Sequence, residues 1–96
     1  MYAVIFTSHR KGSADGYDAM AQRMETLSRE QPGFVSIESV RSVDGRGITV
    51  CCWETIESLR EWKKNLEHRE AQTMGREKWY DSYHIRICKI EEEYGF

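Results

Sequence analysis

The 96 residues predict an α+β domain of the ferredoxin-like split βαβ type, strand–helix–strand, hairpin, strand–helix–strand. Three observations carry this prediction. Strand-like runs, rich in β-branched and aromatic residues, open and close the chain. Two segments with apolar residues at helical spacing follow the first and third of these runs. A hairpin signal, Asp44–Gly45–Arg46–Gly47, stands in the middle. The order implies two helices on one face of a four-stranded antiparallel sheet, in a single domain spanning 1–96.

Taken in order, Tyr2 to His9 is the first strand and Lys11–Gly12–Ser13 a turn, with Ser13 or Asp15 available to cap a helix. Tyr17, Met20, Ala21, Met24, Leu27 and Ser28 form one helical stripe. Gln31–Pro32–Gly33 ends it, because proline cannot continue a helix and glycine releases the chain. Phe34 to Val43 is the second strand and Ile48 to Trp53 the third. Thr55 then caps a helix with Ile56, Leu59, Trp62, Lys63 and Leu66 on one side. His68 to Met74 reads as a further helical turn ending at Gly75, and His84 to Ile90 as the last strand. The Glu91–Glu92–Glu93 run suits a solvated strand end.

The strands are apolar at both parities. Tyr2, Val4 and Phe6 oppose Ala3 and Ile5; Phe34 and Val40 oppose Val35, Ile37 and Val43. Ile48, Val50 and Cys52 oppose Cys51 and Trp53; Ile85 and Ile87 oppose Cys88 and Ile90. Two helices cover one face only, so the other requires a partner. A second copy of the same sheet is the simplest one, and a face-to-face homodimer is expected.

Composition narrows the function. Fourteen basic residues stand against sixteen acidic ones, without a Lys/Arg-rich run, which argues against a nucleic-acid partner. No stretch approaches the length of a membrane span, and the first residues lack the features of a signal peptide. Three cysteines, Cys51, Cys52 and Cys88, lack framework spacing and read as reduced thiols in a cytoplasmic protein. His9, His68 and His84 fall on different elements, and no His or Cys pair has ligand spacing, so no metal is expected. A thiol nucleophile within the third strand is disfavoured, since a strand cysteine is more often a small buried hydrophobe.

The stretch Trp62 to Tyr83 is the most informative. Trp62, Trp79, Tyr80 and Tyr83 stand beside His68, Gln72 and Arg76. Aromatics with polar tips next to titratable groups suit a pocket for a flat organic molecule. The same residues also suit a plainer role: aromatics packing a helix onto the sheet, a histidine at an exposed helix end, an arginine in a surface ion pair.

Trp53–Glu54–Thr55, Leu59, Trp62–Lys63, His68 and Ala71–Gln72 together resemble the antibiotic biosynthesis monooxygenase (ABM) domain family. So do the Tyr17-to-Leu27 helix and the Gln31–Pro32–Gly33–Phe34 junction, and the resemblance covers almost the whole chain. It implies a dimeric α+β barrel. It also implies diverse chemistry: cofactor-free oxidation of polycyclic phenols, oxidation of quinols, and, in one branch, heme degradation. The heme branch pairs a strand-one asparagine with a helix tryptophan and a histidine ten residues later. Trp62 matches the tryptophan, but Gln72 stands at the histidine position and Thr7 or Ser8 where the asparagine lies. His68 is only six residues past Trp62. Glutamine is a poor substitute for an axial histidine, which argues against heme.

The expected function is therefore cofactor-independent monooxygenation of a small aromatic or quinone-like metabolite, with dioxygen as co-substrate. In that reading His68 is the base, Arg76 stabilises the anion, and Trp62, Gln72, Trp79 and Tyr80 hold the ring. The alternatives are a non-enzymatic dimeric protein that binds a small ligand and a heme-handling protein.

Overall fold

Tyr2–Arg10 (β1) is flanked on both sides by strands, so its backbone groups are paired along both edges. The computed structural model describes residues 1–10, 17–67 and 80–96. Within them the order is β1, α1 (Tyr17–Arg29), β2 (Phe34–Arg41), β3 (Arg46–Trp53), α2 (Ile56–Glu67) and β4 (Tyr80–Lys89). The strands form one antiparallel sheet in the order β2–β3–β1–β4, the ferredoxin-like arrangement expected from the sequence. The turn at Lys11–Gly12–Ser13, the caps Ser13 and Asp15, and the helical turn from His68 to Met74 lie outside the described residues.

Pairing fixes which residues share a face. Tyr2, Val4, Phe6 and Ser8 of β1 stand opposite Trp53, Cys51, Thr49 and Gly47 of β3, and opposite Lys89, Ile87, Ile85 and Tyr83 of β4. This is the helix face. Its core is Cys51, Trp53, Leu59 and Trp62, with Tyr2, Val4, Leu27, Phe34, Ile37 and Ile56 packed against it. Helix α1 lies over β2, and α2 over β1 and β3. The other face carries Ala3 and Ile5 of β1, Ile48, Val50 and Cys52 of β3, Cys88 of β4 and Val40 of β2.

β2 departs from simple alternation. Phe34 pairs with Trp53, but Ser36 pairs with Cys52, so Val35 is an extra residue in a bulge. Phe34 and Ile37 therefore both reach the helix face, and Val40 lies on the opposite one; strict alternation had joined Phe34 to Val40. Boundaries shift as well. β2 stops at Arg41, because Ser42 to Arg46 close the hairpin through Ser42 N–H to Arg46 O at 2.8 Å and Gly45 N–H to Ser42 O at 3.1 Å. Val43 is consequently exposed in the turn. β4 starts at Tyr80, four residues before the expected start at His84, since Ser82 and Tyr80 still pair with His9 and Arg10 of β1 around a register shift at Asp81.

Among the described side chains, Met24, Leu27, Ser28, Ile56, Leu59 and Trp62 follow the predicted stripes, and two others do not. Ala21 and Lys63 were placed on the apolar sides and are exposed. Ser28 is buried, its hydroxyl satisfied by donating to Glu25 O at 2.7 Å. Thr55 caps α2 as expected: Ser58 N–H donates to Thr55 Oγ1 at 3.1 Å. Thr55 N–H reaches back to Ser58 Oγ at 3.4 Å, a capping box with serine in place of glutamate.

The Gln31–Pro32–Gly33 junction also anchors α2. Gly33 has φ 83°, and a Cβ there would lie 2.5 Å from Ser58 Cβ and Oγ. Its carbonyl accepts the Glu54 N–H at 2.8 Å, tying the turn before β2 to the turn after β3. Gly33→Ala should therefore lower stability by at least about 1 kcal/mol, combining left-handed strain with steric overlap. Gly95→Ala, with open space around it, is the control. Urea unfolding midpoints check this; equal midpoints for the two variants would mean the junction yields without cost.

Candidate functional site

The topology brings four chain segments to one end of the sheet: the end of β1 at Arg10, the β2–β3 hairpin, the end of α2 at Glu67 and the start of β4 at Tyr80. The helix face changes character towards that end. Far from it, the rows are Phe34–Trp53–Tyr2–Lys89 and Ile37–Cys51–Val4–Ile87, apolar except for the tyrosine hydroxyl, the thiol and the lysine on the edge strand. Nearer, they are Ser39–Thr49–Phe6–Ile85 and Arg41–Gly47–Ser8–Tyr83. Ser39 Oγ and Thr49 Oγ1 are 2.7 Å apart, and the Phe6 and Tyr83 rings lie 5.5 Å apart at 34°. A helix-covered face with hydroxyls, a guanidinium and aromatic edges in its last rows has the composition of a ligand site.

Trp62 points inward, as its stripe requires. It is buried, with its ring 6.0 Å from that of Trp53 at 30°. Trp53 is fully buried and meets Phe34 edge-on at 5.9 Å. Its indole nitrogen has no hydrogen-bond partner among the described residues. Trp62 thus belongs to the apolar half of the face, packed with Trp53, Cys51 and Leu59. Tyr80 begins β4, its backbone opposite Arg10. His68, Gln72, Arg76 and Trp79 lie outside the described residues.

Thiol chemistry finds little support. Burial pushes the Cys51 thiol up to about 11, with the neighbouring Cys52 adding to the shift. Cys51 is therefore protonated near neutral pH and a poor nucleophile. His9 and His84 belong to the helix-free face; His9 Nδ1 lies 3.3 Å from Asp81 Oδ2, and His84 is exposed. Among the described residues no three His, Cys, Asp or Glu side chains converge.

Arg41 and Ser8 were not singled out by the sequence. Ser8 was recoverable, because it continues the Val4–Phe6 parity and is a polar residue in an inward position. Arg41 was not, because the bulge at Val35 reverses the parity on which it would have been read.

The antibiotic biosynthesis monooxygenase family profile matches residues 1–74. The protein YqjZ of Bacillus subtilis is 44% identical over 92 residues, covering 96% of this chain and 81% of YqjZ. The jasmonate monooxygenase ABM of Pyricularia oryzae is 27% identical over 93 residues, covering 94% of this chain; the chain spans 43% of that enzyme's length. Among solved structures, a variant of SnoaB, a cofactor-independent oxygenase from Streptomyces nogalater, superposes with a TM-score of 0.81 at 14% identity, over 96% of this chain and 94% of SnoaB. That likeness shows the fold, and the profile match together with the YqjZ identity shows the family: the chain belongs to the antibiotic biosynthesis monooxygenase family.

Proposed function

We propose that this protein is a cofactor-independent monooxygenase of a small aromatic or quinone-like substrate and that it works as a homodimer. The observation that carries the catalytic part is the apolar-to-polar change along the helix face, with Trp62 packed in its apolar half. Family membership and the oxygenase and monooxygenase names of relatives support it.

The chemistry needs only the substrate's own electrons. A base takes the phenolic proton, and the electron-rich anion reacts with dioxygen at a ring carbon. One oxygen atom stays as the new carbonyl and the other leaves as water. A phenol then becomes a quinone, with all four electrons supplied by the ring. The protein must provide a base, a counter-charge for the anion and a water-poor pocket. We assign the base to His68, whose ordinary titration range suits proton transfer near neutral pH. Arg76 is assigned to the anion, and Trp62, Gln72, Trp79 and Tyr80 to the ring. A dimeric protein that binds such a molecule without turning it over is the second reading, favoured by the same face.

The dimer rests on the helix-free face. Val40 is 72% and Ile48 48% exposed there, beside half-buried Ile5, Val50, Cys52 and Cys88. The apolar part of this face runs along β3 and β1, with Val40 and Cys88 beside it on the edge strands. Glu38 on one edge strand and Arg86 on the other share one row of it, so a two-fold mate can set opposite charges against each other.

Two outcomes follow. Sedimentation at micromolar concentration should give a dimer burying more than about 1,000 Å². Ile48→Asp should give a folded monomer, since the residue is already half exposed in one chain; a monomeric wild type rules the dimer out. Oxygen uptake with dihydroxyaromatic and hydroquinone substrates, corrected for spontaneous oxidation, should fall about 10²–10⁴-fold in His68→Ala with an unchanged melting temperature. Undiminished uptake would remove His68 as the base, and no uptake with any substrate favours the binding-protein reading.

A further inference from the structure

Two hydroxyls meet on the helix face immediately beyond the apolar core. Ser39 of β2 and Thr49 of β3 are direct cross-strand partners, and their row runs on through Phe6 of β1 to Ile85 of β4. The preceding row, Ile37–Cys51–Val4–Ile87, still packs with the core through Ile37, Cys51 and Val4. Ser39 Oγ and Thr49 Oγ1 lie 2.7 Å apart. Ser39 is exposed and Thr49 half-buried, so both oxygens stand at the accessible border of the core. On its other side Thr49 faces Phe6, which puts an aromatic side chain directly beside the hydroxyls.

A hydroxyl carries one proton and two lone pairs. The contact between Ser39 and Thr49 uses one of their two protons. Neither hydroxyl has a second partner among the described residues. The pair therefore keeps one proton to donate and lone pairs to accept. Its internal bond can also run in either direction, so either oxygen can present the remaining proton. A guanidinium only donates and a carboxylate only accepts, whereas this pair does both. That suits a ligand oxygen met as O–H in a phenol and as C=O in a quinone. We infer that Ser39 and Thr49 are ligand-binding residues that hold a neutral ring oxygen, hydroxyl or carbonyl, of a flat molecule resting beside Phe6. This rests on the oxygenase reading and deepens it: the same two side chains grip the phenolic substrate and its quinone product.

The test measures binding rather than turnover. The full chain is dialysed to equilibrium against 1-naphthol, 1-tetralone or 1-methylnaphthalene, which offer O–H, C=O and neither at similar size. Affinities for the first two are read relative to the third, so that apolar contact cancels. In the double variant Ser39→Ala/Thr49→Val both relative affinities should fall about 10-fold, the size of a hydrogen bond. Each single variant should stay within about 3-fold of wild type, because one hydroxyl can still donate or accept. A second readout needs no variant: the carbonyl stretch of bound 1-tetralone should lie below its value in hydrocarbon solvent. If the pair only joins β2 to β3, the double variant will lower the melting temperature and leave the relative affinities intact, which overturns the inference. So do an unshifted carbonyl stretch, a loss confined to one of the two oxygen ligands, or no binding of any of the three. Oxygen uptake is scored separately: binding that depends on the pair without uptake keeps this site and fails the oxygenase reading, whereas uptake with relative affinities unmoved by the double variant does the reverse.

Discussion

The packing of Trp53 is the constraint from which most of this structure follows. Its backbone pairs with Tyr2 on one side and Phe34 on the other. Its ring is fully buried between Phe34 and Trp62. One side chain thus joins β1, β2 and β3 to the middle of α2. An aromatic of this size dominates a small core, and a 96-residue chain has little other apolar volume to spend on joining helix to sheet. The turn after Trp53 must then start α2 at once. The Thr55–Ser58 capping pair and the Gly33 contact with Ser58 do this, so the helix begins directly beside the residue it covers.

Concentrating the core at that end leaves the other end free for different chemistry. Rows that would have to be apolar in a uniform core instead carry Ser8, Ser39, Thr49, Arg41 and Tyr83. A buried polar group is costly unless bonded, and buried Ser8 is satisfied by Arg41; Ser39 and Thr49 bond each other in an exposed part of the same face. Among the described residues the packed core lies at the Trp53 end.

Most of the fold was legible because its signals are local. The Gln31–Pro32–Gly33 stop, the Thr55 cap, the hairpin and the parity of β1 and β3 each depend on a few adjacent residues, and each appears where the spacing put it. Two features were not legible. The bulge at Val35 depends on Trp53 and Cys51 facing the helices together, so that Phe34 and Ile37 must both turn inward to cover them. No local pattern in β2 announces this. The early start of β4 depends on β1 offering pairing partners as far as Arg10, which overrides the weak strand preference of Asp81 and Ser82. For the candidate site, the inward aim of Trp62 was readable from its stripe. The hold on Arg41 was not, because it joins residues 33 positions apart and depends on the missing side chain of Gly47.

The two faces of the sheet place different demands on the same strands, and this explains their composition. On β1 the residues of one parity meet α2, while Ala3 and Ile5 meet whatever covers the helix-free face. Ala3 lies between Cys52 and Cys88 in one row, and all three are small. A small-residue row allows two sheets to approach closely, whereas Val40 and Ile48, in a row nearer the hairpin, supply the apolar bulk. The polar rows of the helix face lie behind this same hairpin end. A partner seated on Val40 and Ile48 would therefore hold β2 and β3 from behind where Arg41 crosses Gly47. A load on that face would then pass through one short hairpin to the opposite face, where Ser8 and the Gly45 carbonyl hold Arg41.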